Sequence, residues 1–344
     1  MGAWRPGQLL FAGFDGTQAP ADLLGLVREG RLGGVILFAR NVEGPEQVRR
    51  LVAELHAAAP DEIPLLVAID QEGGRVQRLR APWTEWPPMR AVGERDRTGD
   101  TRSLGAALGE ELAHLGIGLD FAPVVDVDTN PENPIIGDRS FGATPEAVGR
   151  HAAALIAGLQ GAGVAACAKH FPGHGDTRVD SHVALPRIDH PIERLRQVEL
   201  PPFRAAIDAD VASIMTAHII TTALDPEHPA TLSRQVLDLL RHELGYDGVL
   251  FSDDLEMAAV ADHYTPGDAV RLALEAGCDA VLACRRTDVR DAALAALEAL
   301  PDRLLEAPAR RVATLKARYG GGSMTSDTAP PYAAHAELAA RLLG

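Results

Sequence analysis

The sequence predicts an α/β fold, a single-domain (β/α)8 barrel of the TIM type, and three observations carry that reading. Short, nearly continuous apolar runs alternate with stretches in which apolar residues recur three and four apart. Eight such units lie between residues 8 and 300, more than a doubly wound sheet of ordinary size holds. Polar residues fall at the C-terminal ends of the apolar runs or just after them: Asp70, Asp126, Lys169, His170, His218 and Asp253. In a parallel barrel all those ends open on one face, where active sites are built from the βα loops.

Strands are expected at residues 8–14, 34–39, 65–70, 119–126, 164–170, 213–218, 248–253 and 280–284. They barely alternate between apolar and polar, as parallel strands covered on both faces should. Helical periodicity occupies residues 46–57, 103–114, 145–159, 192–209, 234–244, 266–276, 288–300 and 305–319. No glycine fingerprint follows the first strand, which argues against a dinucleotide-binding sheet. Residues 320–331, GGGSMTSDTAPP, break all periodicity and read as a flexible linker. The closing AAHAELAARLLG is long enough only for a short helix. The expected organisation is therefore a barrel over 1–319 and a linker with a short helical tail over 320–344.

Of the 344 residues, 46% are hydrophobic and 24% charged, enough apolar material for one large core. A net charge of −15 argues against nucleic acid and anionic membrane as partners. It leaves room for a small ligand held by a few local cations. Cys167, Cys278 and Cys284 match no metal spacing and read as reduced core residues. The opening MGAWRPGQLLFAGF lacks the apolar stretch of a signal peptide, and no run approaches a membrane span, so a cytoplasmic protein is expected.

Four stretches carry chemistry. AIDQEGGRVQR (68–78) ends a strand in Asp70 and turns on a glycine pair. Asp70 and Arg78 read equally well as a ligand clamp or as an ion pair at a strand end. NPIIGDRSFG (133–142) sets Arg139 beside Asp138, which by default is a surface pair unless the loop folds over the mouth. KHFPGHGDTRVDSH (169–182) packs a lysine, three histidines and two aspartates into fourteen residues. Lys169 and His170 should reach the mouth from the strand end. Asp180 and His182, two apart, can form a dyad in which the carboxylate fixes the imidazole tautomer and raises its basicity. A metal cluster of His170, His174, Asp176 and His182 is the competing reading, but Lys169 would repel a cation and the spacing fits no metal signature. VLFSDDLEM (249–257) ends in Asp253 and Asp254. Strand alternation allows one of them to face the pocket, and a helix N-cap explains the pair about as well as a catalytic carboxylate.

Together IDQEGGRVQR, IGDRSF, KHFPGHGDTRVDSH and FSDDLEM resemble glycoside hydrolase family 3, in particular its bacterial β-N-acetylglucosaminidases of cell-wall recycling, in the family's order across residues 8–319. The third motif is long and specific; IDQEGG and SDD alone would be weak. The resemblance implies a single-domain barrel hydrolase that needs no cofactor and no metal. It implies Asp253 as nucleophile and Asp180 with His182 as acid/base dyad. Asp70, Arg78, Arg139, Lys169 and His170 would hold the N-acetylglucosamine ring. The expected activity is retaining release of terminal N-acetylglucosamine from muropeptide-type substrates by a monomer, through a covalent glycosyl-enzyme. A β-glucosidase or phosphate-using member of the family, and a non-catalytic sugar-binding barrel, are the alternatives.

Overall fold

The computed structural model describes residues 4–179, 181, 185–321 and 329–343. Eight parallel strands close into a barrel: β1 Leu10–Ala12, β2 Gly34–Leu37, β3 Leu66–Ile69, β4 Leu119–Asp120, β5 Ala165–Phe171, β6 Ser213–Thr216, β7 Val249–Asp254 and β8 Ala280–Ala283. Each pairs with its neighbours in sequence, and β1 closes on β8 through Leu10 and Val281. All eight lie within the predicted runs or one residue beyond them. β4 is much shorter than expected, because Pro123 has no N–H to donate to a ladder. Its continuation still follows β5, bridged by Val124 and Lys169 and by Val125 N–H donating to Lys169 O at 2.7 Å.

The barrel is filled rather than hollow. Phe251 meets Phe11 and Phe121 edge-on, with ring centroids 4.9 and 5.7 Å apart. The predicted helices form the outer layer, joined among the described residues by three that periodicity missed, Ala21–Arg28, Met89–Glu94 and the single turn Ala258–Ala261. Residues 192–208 run as one helix with a π turn at Leu195–Glu199, next to Pro201 and Pro202, whose missing N–H groups cannot hold the regular ladder. Cys167, Cys278 and Cys284 are free and buried. Among the described residues no helix is long and apolar enough to cross a membrane.

The tail docks. Helix Tyr332–Leu343 packs on Thr98–His114 and Met89–Glu94. Its His335 is buried with Nδ1 2.8 Å from Glu111 Oε1, and Glu111 also binds the Thr84 hydroxyl and N–H.

Two irregularities in the ladder shape the mouth. Lys169 pairs with Met215 but Phe171 pairs with Thr216, so β5 carries an extra residue against β6. Likewise Phe251 pairs with Ala280 and Asp254 with Leu282, an extra residue on β7. Each bulge breaks strict alternation and re-aims the side chains around it.

Candidate active site

After β3 and Asp70 the chain folds into a small antiparallel hairpin, Gln71–Gly73 against Val76–Gln77. Gly73 and Gly74 turn it with φ of 96° and 56°, and a Cβ on Gly73 would stand 2.6 Å from Pro87 O. The buried Gln71 amide then pins the returning strand, accepting from Arg78 and Leu79 N–H and donating to Leu79 O. The result is Glu72 held back over the barrel mouth, with Arg78 beside Asp70.

Here the clamp assembles. Lys169 Nζ lies 2.8 Å from Asp70 Oδ1 and 2.7 Å from Glu72 Oε1. Arg139 grips Glu72 with both Nε and Nη2, each at 2.8 Å, and Arg78 reaches Asp70 at 3.1 Å. Burial alone would raise the Glu72 carboxyl, but Arg139 and Lys169 outweigh it and hold it well below its usual value. Asp70 is lowered on the same balance, burial opposed by Lys169 and Arg78. Burial would lower Lys169, yet Asp70 and Glu72 carry it above the ordinary lysine range. Glu72, Asp70 and Lys169 are thus charged at neutral pH. The expected Asp138–Arg139 surface pair is not what forms. Asp138 pairs with Arg75 at 2.8 Å, while Arg139 turns inward, its side chain 10% exposed. The 133–142 loop does cover the mouth, with Pro134 and Ile135 in the cavity wall.

His170 sits behind this clamp. Its Nδ1 is 2.8 Å from Asp126 Oδ2, while Asp126 Oδ1 accepts the N–H of His170 at 3.2 Å and of His174 at 2.6 Å. The close approach of the 173–176 turn needs Gly175, where a Cβ would meet Val127 O at 1.8 Å. His174, pushed down to about 4 by burial and then by His170, is neutral; it bonds Thr177 Oγ1 at 2.7 Å and Ser181 Oγ at 3.1 Å. Among the described residues no three His, Cys, Asp or Glu side chains are grouped to hold a metal.

Opposite stands the end of β7. The expectation that one of the two acids faces the pocket is corrected: with the bulge, Asp253 and Asp254 both line it. Asp253 Oδ1 accepts Asp254 N–H at 2.8 Å, and among the described residues Oδ2 has no partner. Asp254 Oδ1 is committed instead to the N–H of Glu256 at 3.1 Å and of Cys284 at 3.2 Å. Its carboxyl is pushed up to about 7, by burial first, with Glu256 and Asp253 adding to it against the pull of the Glu256 N–H. Because the folded value exceeds the ordinary 3.8, folding holds this proton, and its ionisation costs stability progressively as pH rises from there through about 7. Asp254→Asn keeps the acceptor and removes the charge. Its melting temperature should gain on wild type between about pH 5 and pH 8. A margin that stays constant across that range would contradict this.

The resulting cavity is about 320 Å³ and brings together Asp70, Arg78, Arg139, Lys169, His170 and Asp253. Asp180 and His182 lie outside the described residues. Ser181, between them in sequence, lines the same cavity, and its O accepts Ala259 N–H at 3.3 Å. Glu72 and Asp126 were not assigned roles from sequence. Spacing offered a hint for Glu72, two residues past Asp70 and so on the same face. Asp126 was legible only as a polar strand end. His218 lies below the mouth, its Nε2 2.9 Å from Asp254 O.

A filled (β/α)8 barrel with a carboxylate facing a clamp of paired acids and bases across one cavity at its mouth is the plan of a glycoside hydrolase. Residues 7–315 match the glycosyl hydrolase family 3 N-terminal domain, and the chain belongs to that family. It is 43% identical over 273 residues to a β-hexosaminidase of Nitrosomonas eutropha, covering 78% of each chain. Among solved structures it superposes on a family 3 β-N-acetylglucosaminidase from Paenibacillus sp. str. FPU-7 with a TM-score of 0.93 and 41% identity, over 98% of this chain and 67% of that one. NagZ from Neisseria gonorrhoeae, in complex with N-trifluoroacetyl-D-glucosamine, matches at 0.85 and 33% identity over 98% of both chains.

Proposed function

We propose that this family 3 hydrolase is a retaining exo-β-N-acetylglucosaminidase. The observation that carries the reading is the cavity itself: Asp253 stands on its wall with one oxygen unpartnered among the described residues, and the Lys169–Asp70–Glu72–Arg139 network lines the same cavity. Fixed cations and carboxylates suit the hydroxyls and amide of a sugar, and a cavity of about 320 Å³ suits a terminal residue rather than a chain interior. The β-hexosaminidase relatives and the N-acylglucosamine complex of the gonococcal structure support the acetamido preference.

In this mechanism Asp70, Arg78, Arg139, Lys169 and His170 hold the ring. Asp253 attacks the anomeric carbon as the glycosidic bond breaks. His182, oriented by Asp180, gives its proton to the leaving oxygen. It then takes a proton from the water that releases the sugar from Asp253. Ser181, between Asp180 and His182 in sequence, lies at the cavity wall. The natural substrates would be muropeptides ending in N-acetylglucosamine, met in the cytoplasm by a monomeric enzyme with water as acceptor.

Turnover of nitrophenyl N-acetyl-β-glucosaminide should far exceed that of the matching glucoside; the reverse preference would overturn the reading. His182→Ala should separate substrates by leaving group. Alkyl glycosides, which need protonation, should lose on the order of 10²–10⁴-fold in kcat/KM, and nitrophenyl glycosides far less. Equal losses on both would remove His182 from the acid role.

A further inference from the structure

Asp126 has no part in the scheme above, yet it is fully buried and, among the described residues, every hydrogen bond of its carboxylate goes to the KHFPGH segment. Its two oxygens do different things. Oδ1 takes two backbone N–H groups, those of His170 and His174, at 3.2 and 2.6 Å. Oδ2 faces the His170 ring, 2.8 Å from Nδ1. Burial opposes its charge, but His170 and the His174 N–H prevail and keep the carboxyl ionised. An ionised carboxylate only accepts, so the shared proton belongs to Nδ1. That leaves Nε2 as the one ring nitrogen without a partner among the described residues. His170 lines the cavity with 7% of its surface exposed.

We infer that Asp126 is a positioning residue that makes His170 Nε2 a hydrogen-bond acceptor for one hydroxyl of the bound sugar. The inference rests on the glycosidase reading and adds a polarity to it. Lys169, Arg78 and Arg139 offer only donors, and Asp70 and Glu72 have oxygens already engaged by those cations. His170 Nε2 supplies an acceptor free of such a partner, which selects a hydroxyl that can donate.

The two-N–H anchorage makes the inference testable by one substitution. In Asp126→Asn the amide oxygen stays on the two N–H groups, so the NH₂ must face His170 Nδ1 and donate to it. The ring proton then moves to Nε2, and the acceptor becomes a donor with little change of shape. Nitrogen NMR of labelled histidine reads this directly. Wild-type His170 should be protonated at Nδ1, and the Asn variant at Nε2. A wild type protonated at Nε2, whether alone or together with Nδ1 as an imidazolium, would overturn the inference whether or not the variant folds.

The second reading uses substrates in which each ring hydroxyl in turn is replaced by fluorine, which accepts weakly and cannot donate. At one position wild type should lose on the order of 10–100-fold in kcat/KM. Asp126→Asn should lose at least tenfold less at that position, since its Nε2–H can meet the fluorine. Electronic effects of fluorine on the reaction cancel between the two enzymes. If every analogue costs both enzymes the same factor, or costs wild type nothing, the inference fails even where the tautomer inverts. Should wild type not hydrolyse the parent N-acetylglucosaminide, the proposed function fails instead, a result separate from the tautomer measurement.

Discussion

Asp253→Ala is expected to lower kcat/KM on nitrophenyl N-acetyl-β-glucosaminide by on the order of 10⁴–10⁶-fold, the scale of removing an essential nucleophile. The geometry makes the role specific. One carboxylate oxygen is engaged by Asp254 N–H and the other is unpartnered among the described residues, so the group is held while its attacking atom faces the cavity. Asp254 does not substitute for it, because its Oδ1 is shared between two backbone N–H groups and its carboxyl is half-neutral near pH 7. The loss should be distinguishable from simple damage to the site. Added azide should enter the space left by the carboxylate and attack from the same face. Activity should partly return, yielding the α-glycosyl azide. A variant that keeps more than about a tenth of wild-type turnover, or whose azide product is β-configured, would exclude Asp253 as nucleophile.

The largest expected effect on stability comes from Glu72→Gln. Glu72 is buried between Arg139 and Lys169, and the amide leaves two buried cations facing one remaining carboxylate, Asp70. Breaking one partner of such a cluster costs roughly 3–5 kcal/mol, chiefly through the charge left uncompensated. The pH dependence follows from the direction of the shift. The folded value lies below the ordinary 4.5, so the contribution is fully present above that pH and disappears as pH falls further below it. Thermal unfolding should therefore show a large gap between variant and wild type near neutrality, narrowing in acid. A gap that widens in acid would mean Glu72 is not held as a paired anion. Activity should fall with stability, since Lys169 and Arg139 take their positions from this carboxylate.

Much of the molecule was legible from the chain alone, and the reasons are local. All eight strands lie within the predicted apolar runs or one residue past them, because parallel strands buried on both faces leave an unbroken apolar signature. Asp70, Lys169 and Asp253 were recognisable as mouth residues, because a charge at the end of such a run has no other cheap place to go. Errors clustered where a local rule was overridden. Alternation set one acid of the Asp253–Asp254 pair toward the pocket, and a bulge set both. Adjacency paired Asp138 with Arg139, and folding gave each a partner on the 71–78 hairpin instead. The tail read only as a short helix, and burial of His335 against Glu111 docks it.

By itself the sequence determined the barrel, the order of its strands and several of the groups at its mouth, Asp70, Lys169 and Asp253 among them, but not Glu72. Periodicity and strand-end polarity are properties of neighbouring residues and need no knowledge of what lies across the barrel. The tertiary structure alone decided the partnerships. Lys169 meets Asp70 across a separation of 99 residues and Arg139 meets Glu72 across 67. Those contacts depend on how the closed barrel registers its strands and where two bulges interrupt them. A shift of one residue in either would turn the same side chains to the opposite face.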